Sequence, residues 1–354
     1  MRFPLPGGEG QGEGERQTIC SMESPASQAT SPKPPLLRTL LILGRVSNLP
    51  TVWSNCLAGW LLAGGGEWSR FALLGGGASL LYIGGMFLND ACDVRFDTAH
   101  RQERPIPSGA ISARAVWLWS AALLLGGGVM LALLGFTTAL IALGLVLCIV
   151  AYDLVHKRTV LAPFLMAGCR FLLYLVAGSA ALGGINAKLL WCAGALAAYI
   201  VGLSFIACKE AQNVKPNLLV LPLFIAPLIT GHLGLTFQNK IAVGLIGVGY
   251  VGWVIWSLSH LRSGAGFKPA DAGILPANQI PGLEARPADT DVCPTTCRPR
   301  PDTSRAIGRT VSALLAGIVL VDMLAVQGGG GMMPLAFLAL FASALILQRT
   351  IPAT

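Results

Sequence analysis

A polar run that follows an apolar segment carries the residues whose types and spacing best suit catalysis. Asn89, Asp93 and Asp97 lie four residues apart, so on a helix their oxygens line one face. Mg²⁺ takes a few carboxylate oxygens and completes its octahedron with water and substrate phosphate. Arg101 and Arg104 follow in the same run, and guanidinium groups bind phosphate oxygens. The run predicts a magnesium-bound diphosphate site, and a solvated loop between helices is the alternative.

Other polar groups lie inside apolar segments or at their ends, where ionisable side chains are costly and need a partner or a function. In chain order they are Tyr152, Asp153, Lys157, Arg170, Lys209 and Glu210. We expect Arg170 to face a polar cavity or to pair with a carboxylate such as Asp153. In a helical bundle these groups would meet at one membrane face. The pattern predicts a cavity with a charged mouth and an apolar interior, which suits an amphiphile with a diphosphate head.

The elements that position these residues are transmembrane helices. Hydrophobic residues make up 54% of the 354 residues and charged residues 12%, and the mean hydropathy is +0.65; these values are typical of polytopic membrane proteins. Apolar segments of roughly 17 to 25 residues, the length that crosses a bilayer, recur along the chain. The prediction is an all-α bundle of nine or ten transmembrane helices around a central cavity. The segments are 40–65, 69–89, 114–134, 136–152, 160–183, 187–207, 217–237, 240–260, 306–326 and 331–348.

The distribution of Lys and Arg predicts the orientation of the bundle. With a cytoplasmic amino terminus, the odd-numbered connections carry only Arg70, Lys188 and Lys240. The remaining basic residues between segments then lie on the cytoplasmic side, as the positive-inside rule requires. We therefore expect an integral protein of the bacterial plasma membrane with cytoplasmic active-site loops. Topology and anionic lipid headgroups account for the net charge of +8, so nucleic acid binding is not predicted.

The remaining chain divides into a tail, one membrane domain and an insertion. Residues 1–35 are rich in Gly, Pro, Ser and Glu, which predicts a disordered tail rather than a signal peptide. Residues 36–350 form the membrane domain, and the proline-rich stretch 262–305 within it predicts a disordered cytoplasmic insertion. Glycine runs at 64–66, 75–77 and 126–128 predict close helix packing. Nothing in the sequence indicates an obligate protein partner.

These motifs together resemble the UbiA superfamily of intramembrane prenyltransferases. The pattern N-D-x-x-D-x-x-x-D at residues 89–97, followed by R-x-x-R-P at 101–105, resembles the family's first aspartate-rich motif. The sequence G-R-V-S-N-L-P-T at 44–51 is similar to the family's first helix, where Asn48 would lie near the active cavity. The sequence Y-D-x-x-H-K-R at 152–158 is similar to the loop after the fourth helix. The resemblance spans about residues 36–350.

The chain departs from the family after the sixth helix. Family enzymes usually carry a second aspartate-rich motif there, whereas residues 204–213 contain Glu210 as their only acidic residue. The sequence therefore leaves open whether a second magnesium ion binds, and Lys209 could replace a cation electrostatically. This pattern is similar to the UbiA-like proteins of the EboC type.

The resemblance implies prenyl transfer from a prenyl diphosphate to an acceptor that the sequence does not identify. Asp93 and Asp97, with Asn89, would hold Mg²⁺ on the diphosphate. Three cationic side chains would neutralise the leaving pyrophosphate, namely Arg101, Arg104 and Lys157. An aromatic face, that of Tyr152 or Tyr174, would stabilise the allylic cation, and Asp153 would orient or deprotonate the acceptor. Further residues expected to bind substrate are Asn48, Arg170, Lys209 and Glu210.

Three other classes of protein are compatible with parts of the pattern. A CDP-alcohol type transferase also uses paired aspartates, but its D-G-x-x-A-R lead-in is absent before Asp93. A transporter would place charges along a path near the midplane and show inverted repeats, whereas the charges here cluster at one face. A prenyl-lipid-binding protein without catalysis would fit the missing second motif.

Overall fold

The computed structural model describes residues 35–156, 159, 161–211, 218–232, 240–263, 301–326 and 332–351. Within these residues the chain is helical and contains no strand, which confirms the predicted fold class. The α-helices are α1 (Leu36–Leu43), α2 (Leu49–Leu62), α3 (Trp68–Cys92), α4 (Val94–His100), α5 (Ala113–Ala132), α6 (Phe136–Val155), α7 (Ala162–Ala180), α8 (Ala187–Ala211), α9 (Ala226–His232), α10 (Lys240–Ser263), α11 (Pro301–Ala325) and α12 (Met333–Thr350). The two 3₁₀-helices are Val46–Asn48 and Leu218–Phe224.

Eight helices in the described part of the chain are long and apolar enough to cross a membrane. They are α3, α5, α6, α7, α8, α10, α11 and α12. Each coincides with one of the predicted apolar segments. The other two predicted segments, 40–65 and 217–237, are interrupted, so the predicted count of nine or ten continuous spans is not reached among these residues.

The first interruption separates α1 from α2. Pro50 is the second residue of α2; its ring would clash with the carbonyl of Val46 in a continuous helix, and it has no N–H to donate. The chain bends at Gly44, and Arg45 adopts the left-handed conformation with φ 43° and ψ 48°, which is uncommon for a residue other than glycine. The bend brings Arg45 and Asn48 to the cavity described below.

The second interruption has a similar cause. Pro222 lies inside the 3₁₀-helix Leu218–Phe224, and Pro227 is the second residue of α9. Each proline removes one backbone donor, so a long regular helix cannot pass through both. Over its described residues, 218–232, the segment predicted to span the membrane is therefore a 3₁₀-helix followed by a helix of two turns.

The predicted tail and insertion lie almost wholly outside the described residues. Only Pro35 of the tail is described. At the ends of the insertion, α10 continues to Ser263 and α11 begins at Pro301 rather than at 306. Helix α11 is thus longer at its amino end than its apolar stretch indicates.

Glycines allow α3 and α5 to pack closely, as two of the glycine runs predicted. A Cβ atom on Gly77 would lie 2.8 Å from Leu131 Cγ, and one on Gly127 would lie 2.8 Å from the carbonyl oxygen of Gly77. The third run has another role. Gly64, Gly65 and Gly66 have φ values of 88°, 68° and 156° and form the turn between α2 and α3, a conformation that side chains with a Cβ rarely adopt.

Helix α2 lies at the centre of the bundle. Eleven of its fourteen residues are buried, and it packs against α3, α7, α11 and α12. Two apolar clusters meet along it, one shared with α7, α8 and α11 and the other with α3, α5 and α6. Polar residues on α2 therefore lie inside the protein rather than against lipid.

Candidate functional site

The predicted aspartate run forms the junction of α3 and α4. Asp93 lies between the two helices with helical dihedral angles, φ −86° and ψ −1°. Its N–H donates to the carbonyl of Asn89 at 3.0 Å, and the N–H of Asp97 donates to the carbonyl of Asp93 at 2.9 Å. Helical spacing thus continues through the junction. All three side chains are buried. Side chains of a solvated loop would instead be exposed to water.

Arg104 connects two carboxylates of this run. Its Nη1 lies 2.7 Å from Asp90 Oδ1 and 3.5 Å from Asp97 Oδ2. Arg45 approaches Asp90 Oδ1 from the bend before α2, at 3.7 Å. Arg101, by contrast, is exposed and forms no ion pair with a described carboxylate. The structure therefore separates the two predicted arginines, and it adds Arg45 to the cluster.

The second polar motif joins the first across α3 and α6. Asn89 Nδ2 donates to Asp153 Oδ1 at 3.0 Å, and His156 Nε2 lies 3.5 Å from Asp93 Oδ2. The rings of Tyr152 and His156 stack, with centroids 5.2 Å apart. Residues that are more than fifty positions apart in the sequence thus form one charged cluster, as predicted. The Arg170 side chain forms no ion pair with Asp153.

A cavity of about 450 Å³ extends from this cluster into the bundle. Its wall is mostly apolar and includes Leu81, Leu145, Ile149, Leu173, Ile200 and Leu315. Its polar groups include Arg45, Asn48, Asn89, Tyr152, Asp153 and Arg170. Five of these six were predicted as site residues. Asp93, Asp97, Arg101 and Arg104 lie outside the lining, and the first two contact the cluster through His156 and Arg104.

The aromatic rings that line the cavity are only partly the ones predicted, which were Tyr152 and Tyr174. Tyr152 lines it, and so does Tyr82, which donates to the carbonyl of Arg45 at 3.4 Å. Tyr174 is fully buried outside the lining and donates its hydroxyl to Asp322. It is therefore placed to organise the protein interior rather than to face a substrate.

Two carboxylate oxygens are suited to a cation. Asp97 Oδ1 and Asp153 Oδ2 are buried and accept no hydrogen bond in the described part of the chain; such atoms are costly to leave unpaired. No group of three or more His, Cys, Asp or Glu side chains among the described residues forms a complete metal site. Mg²⁺ is commonly held by one or two carboxylates together with substrate phosphates. The donor set at Asn89, Asp93 and Asp97 fits that kind of binding.

Three predicted residues fall where side chains are not described. Lys157 lies outside the described residues. Lys209 and Glu210 belong to the last turn of α8, and the structure describes their backbone only. Their predicted contacts with substrate stay predictions.

Sequence reasoning did not single out two residues of this region. The position of Arg45 at the cavity depends on the bend before α2, and no local sequence pattern predicted that bend. Asp322 on α11 is fully buried and accepts hydrogen bonds from Ser54 Oγ at 2.5 Å and from Asn55 Nδ2 at 2.7 Å. The available signal was its position, because an aspartate within an apolar segment needs a partner or a function.

Comparisons with known proteins identify a family and several similar sequences. A family model described as the UbiA prenyltransferase family matches residues 50–270. The digeranylgeranylglyceryl phosphate synthase of Methanothrix thermoacetophila is 29% identical over 179 residues, which are 50% of this chain and 64% of that protein. The enzyme of the same name from Methanoregula boonei is 31% identical over 190 residues, 51% of this chain and 62% of that protein. The chain thus matches less than two thirds of the length of either relative.

A solved structure is also similar to this chain. It is described as the apo structure of a UbiA homolog from Aeropyrum pernix K1, and it superposes with a TM-score of 0.43 at 16% identity. The superposition covers 87% of this chain and 96% of that one.

Proposed function

Because the chain belongs to the UbiA prenyltransferase family, we propose that it transfers a prenyl group from a prenyl diphosphate to an acceptor within the membrane. One observation carries the proposal. A charged cluster at the junction of α3 and α4 adjoins a cavity of about 450 Å³ with a mostly apolar wall. A prenyl diphosphate has the same two parts, an anionic head and a hydrocarbon tail. Relative to water, burial of the tail would contribute about 0.8 kcal/mol for each CH₂ group.

The cationic side chains would bind and neutralise the diphosphate. Arg104 lies against Asp90 and Asp97, and Arg45 approaches Asp90 from the cavity side. Arg101 follows the aspartates in the same loop and is exposed, and Lys157 belongs to the second motif in the sequence. Guanidinium groups in a site of low dielectric stabilise the charge that develops on the leaving group, and such electrostatic stabilisation is often the largest contribution to catalysis.

We further propose that Asn89, Asp93 and Asp97 hold Mg²⁺, because Asp97 Oδ1 is buried without a hydrogen-bond partner among the described residues. When bound, Mg²⁺ would supply positive charge that activates the diphosphate as a leaving group. Asp90 is engaged with two arginines, so its role would be to position them rather than to bind the metal.

Asp153 is the residue best placed to act on the acceptor. It lines the cavity, is 4% exposed, and has Oδ1 fixed by Asn89 while Oδ2 has no hydrogen-bond partner among the described residues. A carboxylate held in this way would orient an acceptor hydroxyl and take its proton. The faces of Tyr82 and Tyr152 at the same cavity would stabilise cationic character at the allylic carbon.

The names of the relatives indicate which acceptor to test first. Their product name describes a glyceryl phosphate that carries two geranylgeranyl groups, so we propose a prenylated glyceryl phosphate as the first candidate. We also propose a bacterial inner-membrane location with the charged cluster on the cytoplasmic side, because Lys and Arg are concentrated on that side of the predicted topology.

The test uses the full-length protein in lipid nanodiscs with Mg²⁺ and radiolabelled geranylgeranyl diphosphate. The acceptors are geranylgeranylglyceryl phosphate, 4-hydroxybenzoate and a bacterial lipid extract. We expect pyrophosphate release together with a product heavier than one of these acceptors by one prenyl group. Donor binding without product from any acceptor would favour a binding protein, and absence of donor binding would contradict the proposal.

A further inference from the structure

A second polar group lies inside the bundle, apart from the aspartate run. Asp322 on α11 is fully buried and accepts hydrogen bonds from three side chains on two other helices. The donors are Ser54 and Asn55 on α2 and Tyr174 on α7. A buried carboxylate that stays ionised needs such partners, and a nearby positive charge stabilises it further. The nearest cationic candidate in the described core is Arg170.

Asn55 connects this carboxylate to Arg170. Its Nδ2 donates to Asp322 at 2.7 Å, and its Oδ1 accepts from Arg170 Nη1 at 2.7 Å. An amide placed between a carboxylate and a guanidinium has one favourable orientation, because its nitrogen can only donate and its oxygen can only accept. Asp322 therefore fixes the Asn55 amide, and the amide fixes the Arg170 guanidinium.

Arg170 presents its remaining donors to the cavity. A second bond, from Nη2 to Thr51 Oγ1 at 3.1 Å, holds the plane of the guanidinium, and its Cζ lies 5.9 Å from the centre of the Tyr82 ring. Arginine carries five N–H donors, and its other donors have no hydrogen-bond partner among the described residues. The side chain is only partly buried and lines the cavity. The cavity wall thus includes a fixed positive charge with free donors.

This group is separate from the cluster around Asp90. The arginines that pair with Asp90 are Arg45 and Arg104, whereas Arg170 bonds to Asn55 and Thr51 on α2. Arg170 lies eight positions beyond the first residue of α7, which corresponds to about 12 Å along the helix axis. A ligand that fills the cavity would therefore meet two cationic groups. Arg45 pairs with Asp90 of the aspartate run, whereas Arg170 does not.

We propose that Arg170 forms the subsite for a negatively charged oxygen of the acceptor, and that Asp322 is the positioning residue that holds Arg170 there through Asn55, with the buried Thr51 as a second fixed acceptor for the guanidinium. The inference rests on the function proposed above and specifies the acceptor as an anionic amphiphile, such as one with a phosphate group. A purely structural network of buried charges would not need free guanidinium donors in a cavity, and burying such charges would bring little net stability.

The experiment compares variants of the full-length protein in nanodiscs by two separate readings. Donor binding is measured with radiolabelled geranylgeranyl diphosphate and Mg²⁺. Acceptor binding is measured directly with radiolabelled geranylgeranylglyceryl phosphate, and the acceptor KM is measured where turnover is present. Arg170→Gln should weaken acceptor binding on the order of 10- to 100-fold, the effect of losing a hydrogen bond to a charged group, and should leave donor binding within about threefold. Arg70→Gln, whose arginine bonds to carbonyls of Leu134 and Ala180 away from the cavity, is the matched control.

Asp322 is tested by exchanging groups with Asn55. Asp322→Asn alone places an amide among three donors and should weaken acceptor binding in the same way as Arg170→Gln. The double variant Asp322→Asn with Asn55→Asp moves the carboxylate beside Arg170 and keeps every hydrogen bond paired. We expect the double variant to restore acceptor binding. If Asp322→Asn alone is folded and binds donor, this recovery cannot be explained by restored folding.

The outcomes separate this inference from the proposed function. Unchanged acceptor binding in Arg170→Gln, or a loss of donor binding in that variant equal to its loss of acceptor binding, would overturn the subsite while leaving prenyl transfer standing. Failure of the wild-type protein to bind geranylgeranyl diphosphate would overturn both. If Asp322→Asn does not fold, the role of Asp322 is decided by the thermal stability and acceptor binding of the double variant. A folded double variant whose acceptor binding is as weak as that of Arg170→Gln would contradict the positioning role of Asp322.

Discussion

Asn89 on α3 donates a hydrogen bond to Asp153 on α6 at 3.0 Å, and both residues line the same cavity. This bond connects the aspartate-rich run to the second polar motif. It also leaves Asp153 Oδ2 as a buried oxygen with no hydrogen-bond partner among the described residues. The arrangement joins the two motifs in one polar cluster at the cavity, which supports the proposal that the diphosphate binds on one side and the acceptor on the other.

The first prediction concerns Asp153. Asp153→Asn keeps the size of the side chain and removes its capacity to accept a proton. Transfer should fall on the order of 100- to 10,000-fold, the usual contribution of a general base, while the affinity for geranylgeranyl diphosphate changes by less than about threefold. Single-turnover kinetics and equilibrium binding on the same preparation measure the two effects. Equal losses in binding and turnover would assign Asp153 to donor binding instead.

The second prediction distinguishes the two arginines of the R-x-x-R-P sequence. Arg104 pairs with Asp90 and Asp97 and is 18% exposed, whereas Arg101 is exposed without a described carboxylate partner. Arg104→Gln removes the cation paired with buried Asp97 and the nearer of the two cations paired with Asp90, which keeps only Arg45 at 3.7 Å. It should therefore weaken donor binding about tenfold more than Arg101→Gln does, allowing for the partial exposure of Arg104. A larger loss in Arg101→Gln would show that the exposed arginine is the principal diphosphate ligand.

The third prediction concerns prenyl chain length. Ala78 on α3 lines the cavity and is 2% exposed, so Ala78→Leu would fill space needed by the tail. We expect this variant to favour shorter prenyl diphosphates. The KM for the longest donors should rise relative to the KM for shorter ones on the order of 10-fold, as a methylene misfit in a pocket produces. Ala121→Leu on the exposed face of α5 makes the same change against lipid and is the control. An unchanged chain-length profile would place the tail elsewhere.

Much of the fold follows from the sequence, because eight apolar segments coincide with eight helices of sufficient length. The two segments that fail contain Pro50 in one case and Pro222 with Pro227 in the other. Mean hydropathy does not register such prolines, although their backbone chemistry interrupts a helix. The predicted count of nine or ten transmembrane helices is therefore not confirmed among the described residues.

The candidate site was predictable where its residues lie close in sequence or share a helix face. Helical geometry alone was enough to predict that Asn89, Asp93 and Asp97 share one face. By contrast, Ser54 and Asp322 are 268 positions apart, and no periodicity along the chain indicates that they meet. Arg45 was missed for a related reason, since its direction depends on a bend stabilised by packing around α2.

The most direct test of the central claim is Mg²⁺-dependent binding of radiolabelled geranylgeranyl diphosphate to the wild-type protein and to Asp93→Ala in nanodiscs. Glu103→Ala, which removes an exposed carboxylate from the same loop, is the matched control, and thermal unfolding of each variant checks that it is folded. The account predicts tight, Mg²⁺-dependent binding by the wild type and Glu103→Ala, and loss of the Mg²⁺-dependent part in folded Asp93→Ala. Unchanged Mg²⁺-dependent binding in Asp93→Ala would contradict the metal and diphosphate site proposed here.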